Sequence, residues 1–267
     1  MENAIHGFFL LMGLVTVGCV LLISVYLVVS GIPAIREIGL VKFLFGPVWN
    51  SNAAEPQFGI LPFILTSIYG TAGAILLGVP VGYMTAVFLA KMAPPKLKTA
   101  VSAAVSLLAG IPSVVYGLVG MLVLVPGIRQ VFHIPDGSGL LAAIIVLAIM
   151  ILPLIMRTTE EALKSVPDAC REGSFGLGAG RLRTVFCIVL PSAAPGILAG
   201  VILGIGRIVG ETAALIYTSG TVAGVPKSLM GSGRTLAVHM YALLSEGFYT
   251  EQAYATAVVL LVMVVGI

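Results

Sequence analysis

The chain has 267 residues, 59% of them hydrophobic and only 9% charged, with a net charge of +3 and a mean hydropathy of +1.12. Soluble domains carry roughly a quarter charged residues, so this composition excludes one. The positive charge is too small and too dispersed to give nucleic acid a footprint.

A hydrocarbon core about 30 Å thick needs about 20 apolar residues per helix. By that measure the sequence predicts spans at 8–30, 61–90, 100–126, 140–156, 194–217 and 254–267. The expected fold is all-α, a polytopic bundle of six transmembrane helices forming one domain over 1–267. Lipid leaves an open backbone group no other partner. The first span has no Lys or Arg before it and an apolar run too long for a signal peptide, so it is expected to remain as a helix. Pro80 and Pro112 are expected to kink the second and third spans, while Pro126 and Pro153 lie nearer helix ends. The last span stops at Ile267 without a polar flank, which fits a longer natural chain or a truncated copy.

Loops 91–98 and 157–190 together hold eight of the 14 Lys and Arg residues. The opposite face holds Arg36, Lys42, Arg129, Lys227 and Arg234, and Arg207 is left inside a span. This excess predicts a cytoplasmic 157–190 loop and cytoplasmic termini. Cys19, Cys170 and Cys187 show no metal-like spacing and no pair suited to an oxidising compartment, and read as small apolar residues.

Within the long loop, Thr158-Thr-Glu-Glu161 looks like a helix start, with acids in the first turn. Pro167-Asp168 begins a second helix over 168–175, which Gly176, Gly178 and Gly180 break before 181–189 leads into Pro191. The expectation is a helix–turn–helix on the membrane surface. No ATP cradle accompanies it, since Val225-Pro226 separates Gly224 from Lys227. Gly204-Ile-Gly206 follows no strand and is no dinucleotide fingerprint. Gly200/Gly204 and Gly206/Gly210 instead have the spacing of close helix packing in lipid.

Arg207 and Glu211 stand four apart in the fifth span, hence on one predicted helix face, with Thr212 adjacent. An ionised group at mid-bilayer costs at least about 2.5–3.5 kcal/mol, so such groups face a bundle interior. Two roles stay open: a structural ion pair that locks helices, or a transit site where the Arg fork meets an anion and the carboxylate tempers the hold. Tyr116 and Ser113 are candidates for lining the path or for helix packing alike. Residues 219–250 are expected outside, with 228–246 as an interfacial helix carrying Arg234, His239 and Glu246. His239 there reads as a surface residue rather than a metal ligand.

The register Glu172-Gly-Ser174, then Gly178, then Ile188-Val-Leu190-Pro191 resembles the cytoplasmic signature of ABC-importer permeases, Glu-Ala-Ala, three residues, Gly, nine residues, Ile-x-Leu-Pro. Gly173 and Ser174 depart from the pattern, and both are small. Gly206-Arg-Ile-Val-Gly-Glu-Thr212 resembles the Gly-Arg-Ala-x-Gly-Glu-Thr run of phosphate-specific (Pst-type) permeases. Leu108-Ala-Gly-Ile-Pro-Ser-Val-Val-Tyr-Gly117 is similar to that family's third helix. Phe43-Leu-Phe-Gly-Pro-Val-Trp-Asn50 and Phe58-Gly-Ile-Leu-Pro62 resemble its first external loop. The Trp49 loop resembles PstC; Arg157-Thr-Thr-Glu-Glu-Ala-Leu163 and Gly233-Arg-Thr-Leu-Ala-Val-His239 resemble PstA, and the balance leans to PstC.

The resemblance implies a type I, MetI-like importer permease in a bacterial or archaeal cytoplasmic membrane, passing phosphate inward. It implies a substrate path through Arg207, Glu211 and Thr212. It also implies an ATPase-coupling hairpin at Arg171, Glu172, Gly173, Ser174, Gly178, Leu190 and Pro191, with Glu172 stabilising the hairpin and Gly178 forming its turn. The implied partners are a second homologous permease, an ATPase dimer that carries the ATP-Mg, an extracytoplasmic phosphate-binding protein and membrane lipid, with no cofactor in this chain. By residue chemistry alone the alternatives are sulfate, molybdate or tungstate as cargo, an intramembrane lipid-phosphate enzyme, and a passive anion channel.

Overall fold

A computed structural model describes residues 2–51, 53 and 55–267. In chain order the elements are α1 (Glu2–Ile38), α2 (Leu40–Phe45), the ribbon β1 (Trp49–Asn50) and β2 (Gln57–Phe58), α3 (Leu61–Lys91), α4 (Pro95–Gly110), α5 (Ser113–Val119) and α6 (Val125–Phe132). Then follow α7 (Leu140–Ser165), α8 (Asp168–Gly176), α9 (Arg181–Thr184), α10 (Leu190–Val209), α11 (Ala213–Thr218), α12 (Leu236–Glu246) and α13 (Thr250–Val265). Among the described residues, five helical stretches are long and apolar enough to cross a membrane: Ile5–Ile38, Leu61–Ala90, Ser113–Phe132, Leu140–Ser165 and Arg181–Val209. The apolar helix α13, at 16 residues, is shorter.

Helix α7 is the axis of the bundle, buried on most of its circumference. Its partner α3 runs parallel to it and meets it through glycines. A methyl at Gly78 would stand 2.8 Å from Ile151 Cδ1, and one at Gly82 would stand 3.0 Å from Ile155. Isoleucine knobs thus fill glycine notches, the packing that lipid-embedded helices rely on when apolar burial gives no drive. Helix α10 runs antiparallel on another side of α7, with Gly196 against Ala162 and Gly200 against the Thr158 hydroxyl. Of the four glycines predicted for packing, Gly200 and Gly204 meet α7. A methyl at Gly206 would meet nothing within 4 Å, and one at Gly210 only the Gly206 carbonyl.

Five spans differ from expectation, the last by running from Thr250 to Val265 rather than over 254–267. The first helix runs from Glu2 to Ile38 rather than 8–30. Helix α7 continues to Ser165, so Thr158–Glu161 lies inside it and starts no new helix. The predicted 100–126 span is two helices. Ile111 and Pro112 are extended, at ψ 127° and 143°, because the proline ring disfavours helix at the residue before it and Pro112 brings no N–H. The predicted 194–217 span is likewise interrupted, at 210–212.

Two π-helical turns, Gly120–Leu124 and Val185–Val189, each end two residues before a proline, Pro126 and Pro191. A proline ring crowds the carbonyl four residues back and offers no donor to it. Those carbonyls belong to Leu122 and Cys187, inside the π turns, where the ladder widens and the helix continues. No such turn accompanies Pro80 or Pro153, which lie within regular helix.

At the end remote from the hairpin, the β1–β2 ribbon folds onto α12. The antiparallel register pairs Trp49 with Phe58, and Tyr249 donates to the Ser51 carbonyl at 3.2 Å. The expected helix 228–246 is only Leu236–Glu246, with Thr235 as its N-cap accepting from Val238. His239 is not on the surface. It is fully buried, stacked on Phe63 at 3.7 Å between centroids and edge-on to Trp49 at 4.2 Å, with neither ring nitrogen hydrogen-bonded. Burial, helped by Arg234, pushes its pKa from 6.5 down to about 3, so the ring is neutral.

Candidate functional site

The interruption at 210–212 falls on the charged motif. Gly210 ends α10, donating to the Gly206 carbonyl at 3.4 Å, and Thr212 at φ −120°, ψ −50° precedes α11. The Glu211 carboxylate then accepts from the Ala214 N–H at 3.1 Å, satisfying one of the orphan donors at the start of α11. Its negative charge suits that end of the helix. Arg207 lies in the last turn of α10, exposed, where a cation faces the negative end of the dipole. Of the two roles left open for these residues, the structural ion pair is absent among the described residues. Helix ends between the two residues, Glu211 caps forward instead of reaching back, and Arg207 makes no hydrogen bond or ion pair among the described residues. Thr212 sits at the break with a long 3.4 Å bond from its hydroxyl to the Gly210 carbonyl.

The second interruption lies alongside the first. A methyl on Gly117 of α5 would stand 2.8 Å from Ala214 Cα of α11, so α5, five residues past Pro112, touches the first turn of α11. The Tyr116 hydroxyl donates to the Leu108 carbonyl at 2.8 Å, closing the gap between α4 and α5. Tyr116 also lies within electrostatic reach of Arg207. The Tyr116 hydroxyl thus lies within reach of Arg207, a cation with no internal partner among the described residues, and Thr212 stands at the 210–212 break. Irregular backbone is tolerated in a membrane only where it is buried in protein or lines a cavity. The exposed Arg207 guanidinium offers its donors to an oxyanion, and among the described residues here no nucleophile is paired with a base.

The cytoplasmic-signature residues fold as a hairpin of α8 and α9. Gly178 has φ +80°, with the Gly178 N–H on the Phe175 carbonyl at 2.9 Å and the Ala179 N–H on the Ser174 carbonyl at 3.1 Å. This is the Schellman closure, in which the left-handed residue after the helix is glycine. Arg171 ties the hairpin to α7, bonding Asp168 at 2.8 Å and the Leu163 carbonyl at 3.0 Å. Ser174 and Thr184 join α8 to α9 hydroxyl to hydroxyl at 2.9 Å. Glu172 is exposed and has no hydrogen bond or ion pair among the described residues, so the hairpin is closed without it. A methyl at Gly173 would meet nothing within 4 Å, and Leu177 at the tip is 91% exposed. Leu190 is buried at the foot of α10 and Pro191 is exposed beside it. The Ser174–Thr184, Arg171–Leu163 and Tyr116–Leu108 bonds had no sequence signal, since each joins residues whose separation follows only from the path of the chain.

A polytopic helical bundle with interrupted helices and a cytoplasmic-type hairpin has the architecture of an ABC-importer permease. The chain is similar to the solved MetNI methionine ABC transporter in an inward-facing conformation, with a TM-score of 0.58 and 24% identity over 78% of this chain and 88% of that one. A bacterial alginate ABC transporter gives a TM-score of 0.66 at 18% identity over 99% and 94%. Residues 78–267 match the family described as binding-protein-dependent transport system inner membrane component, and the chain belongs to that family. It is 36% identical to the probable ABC transporter permease protein YqgH of Bacillus subtilis, over 84% of this chain and 73% of the relative. The phosphate transport system permease protein PstC of Haemophilus influenzae is 34% identical over 80% and 73%, and that of Mesorhizobium japonicum 32% over 83% and 74%. The protein is a membrane-spanning permease subunit of an ABC importer, a transporter component and not an enzyme.

Proposed function

We propose that this permease passes inorganic phosphate inward, acting as one transmembrane domain beside a second homologous permease. An extracytoplasmic binding protein would deliver the ion and an ATPase dimer, with its own ATP-Mg, would drive the cycle. The carrying observation is the break at 210–212, where Arg207 stands exposed without an internal partner. A planar guanidinium fork suits phosphate oxygens, and Glu211 and Thr212 complete the path. A carboxylate one turn away keeps the hold weak enough for release. The PstC relatives support phosphate over other cargo. Another oxyanion is the other reading by residue chemistry, and the name of the YqgH relative states no substrate.

The hairpin is the proposed seat of the ATPase, with Leu177 at its tip, the Gly178 turn, exposed Glu172 and the open face at Gly173. Ser174, Arg171, Leu190 and Pro191 hold that surface in place. Both termini then lie in the cytoplasm. The test is ATP-driven uptake of labelled phosphate by the reconstituted complex with binding protein, with sulfate and molybdate as competitors. Arg207→Gln is expected to cut uptake by about tenfold or more, the loss of a charge-assisted hydrogen bond, with the complex still assembled. Normal uptake by the assembled variant refutes the transit role. Entry of another oxyanion in place of phosphate leaves the permease and changes its cargo.

A further inference from the structure

A second polar niche lies closer to the hairpin, on residues outside the Arg207 break. Arg157 of α7 is exposed and donates through Nη2 to the Ser106 hydroxyl of α4 at 3.1 Å. Ser106 in turn donates to the Ser102 carbonyl at 2.8 Å, so its hydroxyl holds the guanidinium and has no proton left for a ligand. The Ser102 hydroxyl is half-buried and makes no hydrogen bond among the described residues. These groups line a cavity of about 100 Å³ with Glu160, Met156, Ala86, Leu89 and Val105. That is about three water volumes, room for one small tetrahedral ion and none for a nucleotide.

The position along the bundle gives the niche its meaning. Thr158, beside Arg157, packs on Gly200 of α10, and Arg207 lies seven residues farther along that helix. At 1.5 Å per residue the two cations are separated by about 10 Å along α10. Both border the same chain segment: Ser106 holds Arg157, and Leu108 two residues on receives the Tyr116 hydroxyl near Arg207. Each site combines one arginine with unused donors, a hydroxyl and a nearby carboxylate committed elsewhere. Glu211 caps α11, and Glu160 pairs with Lys164 at 3.0 Å. The α7 turn that carries Glu160 and Leu163 also receives Arg171 of the hairpin, so the niche and the hairpin share one helix end.

Resting on the proposed function, we propose that Arg157 and Ser102 form an inner oxyanion station that accepts phosphate after the Arg207 break and before release into the cytoplasm. Ser106 is a positioning residue that aims the guanidinium, and Glu160 weakens the hold. The shared ligand chemistry is a phosphate oxyanion, which an anionic lipid headgroup also presents.

The experiment uses the whole complex in nanodiscs, with Cys19, Cys170 and Cys187 replaced by serine and Ser102→Cys as the reporter. A charged maleimide labels the reporter while inorganic phosphate, or chloride as control, is added. Millimolar phosphate is expected to slow labelling severalfold. Arg157→Gln should abolish that protection, and Arg157→Lys should restore part of it, which mere pinning of α4 to α7 does not predict. Protection should survive in Arg207→Gln, since the two stations are separate. Equal labelling with and without phosphate overturns the station, as does protection that persists in Arg157→Gln. Protection that follows phosphatidylglycerol content instead of added phosphate assigns the niche to lipid and overturns it too. Uptake by the parent complex is measured alongside: its absence refutes the phosphate reading itself, whereas uptake without protection refutes only the inner station.

Discussion

The chain sets two ionisable side chains among apolar surroundings and treats them in opposite ways. Arg207 stands exposed at the end of a broken helix with no internal partner, whereas His239 is sealed between Phe63 and Trp49 with both nitrogens unbonded. A guanidinium cannot shed its charge, so it persists in a membrane only where water or a ligand reaches it. An imidazole escapes the same cost by staying neutral, and then serves as an aromatic plate. Access, more than residue type, separates the two.

Glu211 offers the sharpest way to break this comparison, because it holds the break open by capping α11. Glu211→Ala removes both cap and charge and is expected to lower uptake about tenfold, since a lost cap costs about 0.5–2 kcal/mol. Glu211→Gln keeps an acceptor for the Ala214 N–H and should retain more of the uptake and the parent melting temperature. Equal loss in both variants would show that charge alone matters and that the cap is incidental.

The same residue shows where sequence reasoning stopped. Spacing of four put Arg207 and Glu211 on one face, an inference valid only while the helix continues. Gly210 ends it, and nothing in the hydrophobic pattern distinguishes a helix that breaks at mid-membrane from one that does not, because both are apolar throughout. Pro112 was legible as a disturbance but not as a full stop. In the hairpin, by contrast, the turn could be placed on the run Gly176, Gly178 and Gly180, since glycine is the residue a positive φ favours, and the family resemblance singled out Gly178, where φ is positive. His239 was misplaced because a lone polar residue in an apolar stretch says nothing about the aromatic rings the fold brings to it from Phe63 and Trp49, far away in the chain.

A milder test concerns the neighbouring break. Tyr116→Phe removes the hydroxyl that joins α5 to the Leu108 carbonyl while keeping the ring. A net hydrogen bond is worth about 0.5–1.5 kcal/mol, so the assembled variant should lose a few degrees of melting temperature and transport severalfold more slowly. Unchanged uptake and melting would mean that Pro112 alone fixes this break and that the hydroxyl near Arg207 is a bystander.

The smallest effect belongs to His239 and reads the sealed side of the comparison. Its folded pKa of about 3 lies below the ordinary 6.5, so the folded protein resists the proton that the unfolded chain accepts. Stability contributed by the neutral ring is full above pH 6.5 and is lost as pH falls from there toward 3. At pH 5.5, one unit below 6.5, the loss is about 1.4 kcal/mol. Other groups titrate in the same range, so the quantity to measure is the difference between parent and His239→Phe in melting temperature, from pH 7.5 to 5.5. Phenylalanine keeps the stack on Phe63 and the edge against Trp49 but has no proton to take up. The parent should soften by a few degrees more than the variant. Identical pH profiles would mean that the unfolding step leaves the ribbon and α12 docked around His239, so that the group never meets water before the rest of the bundle is lost.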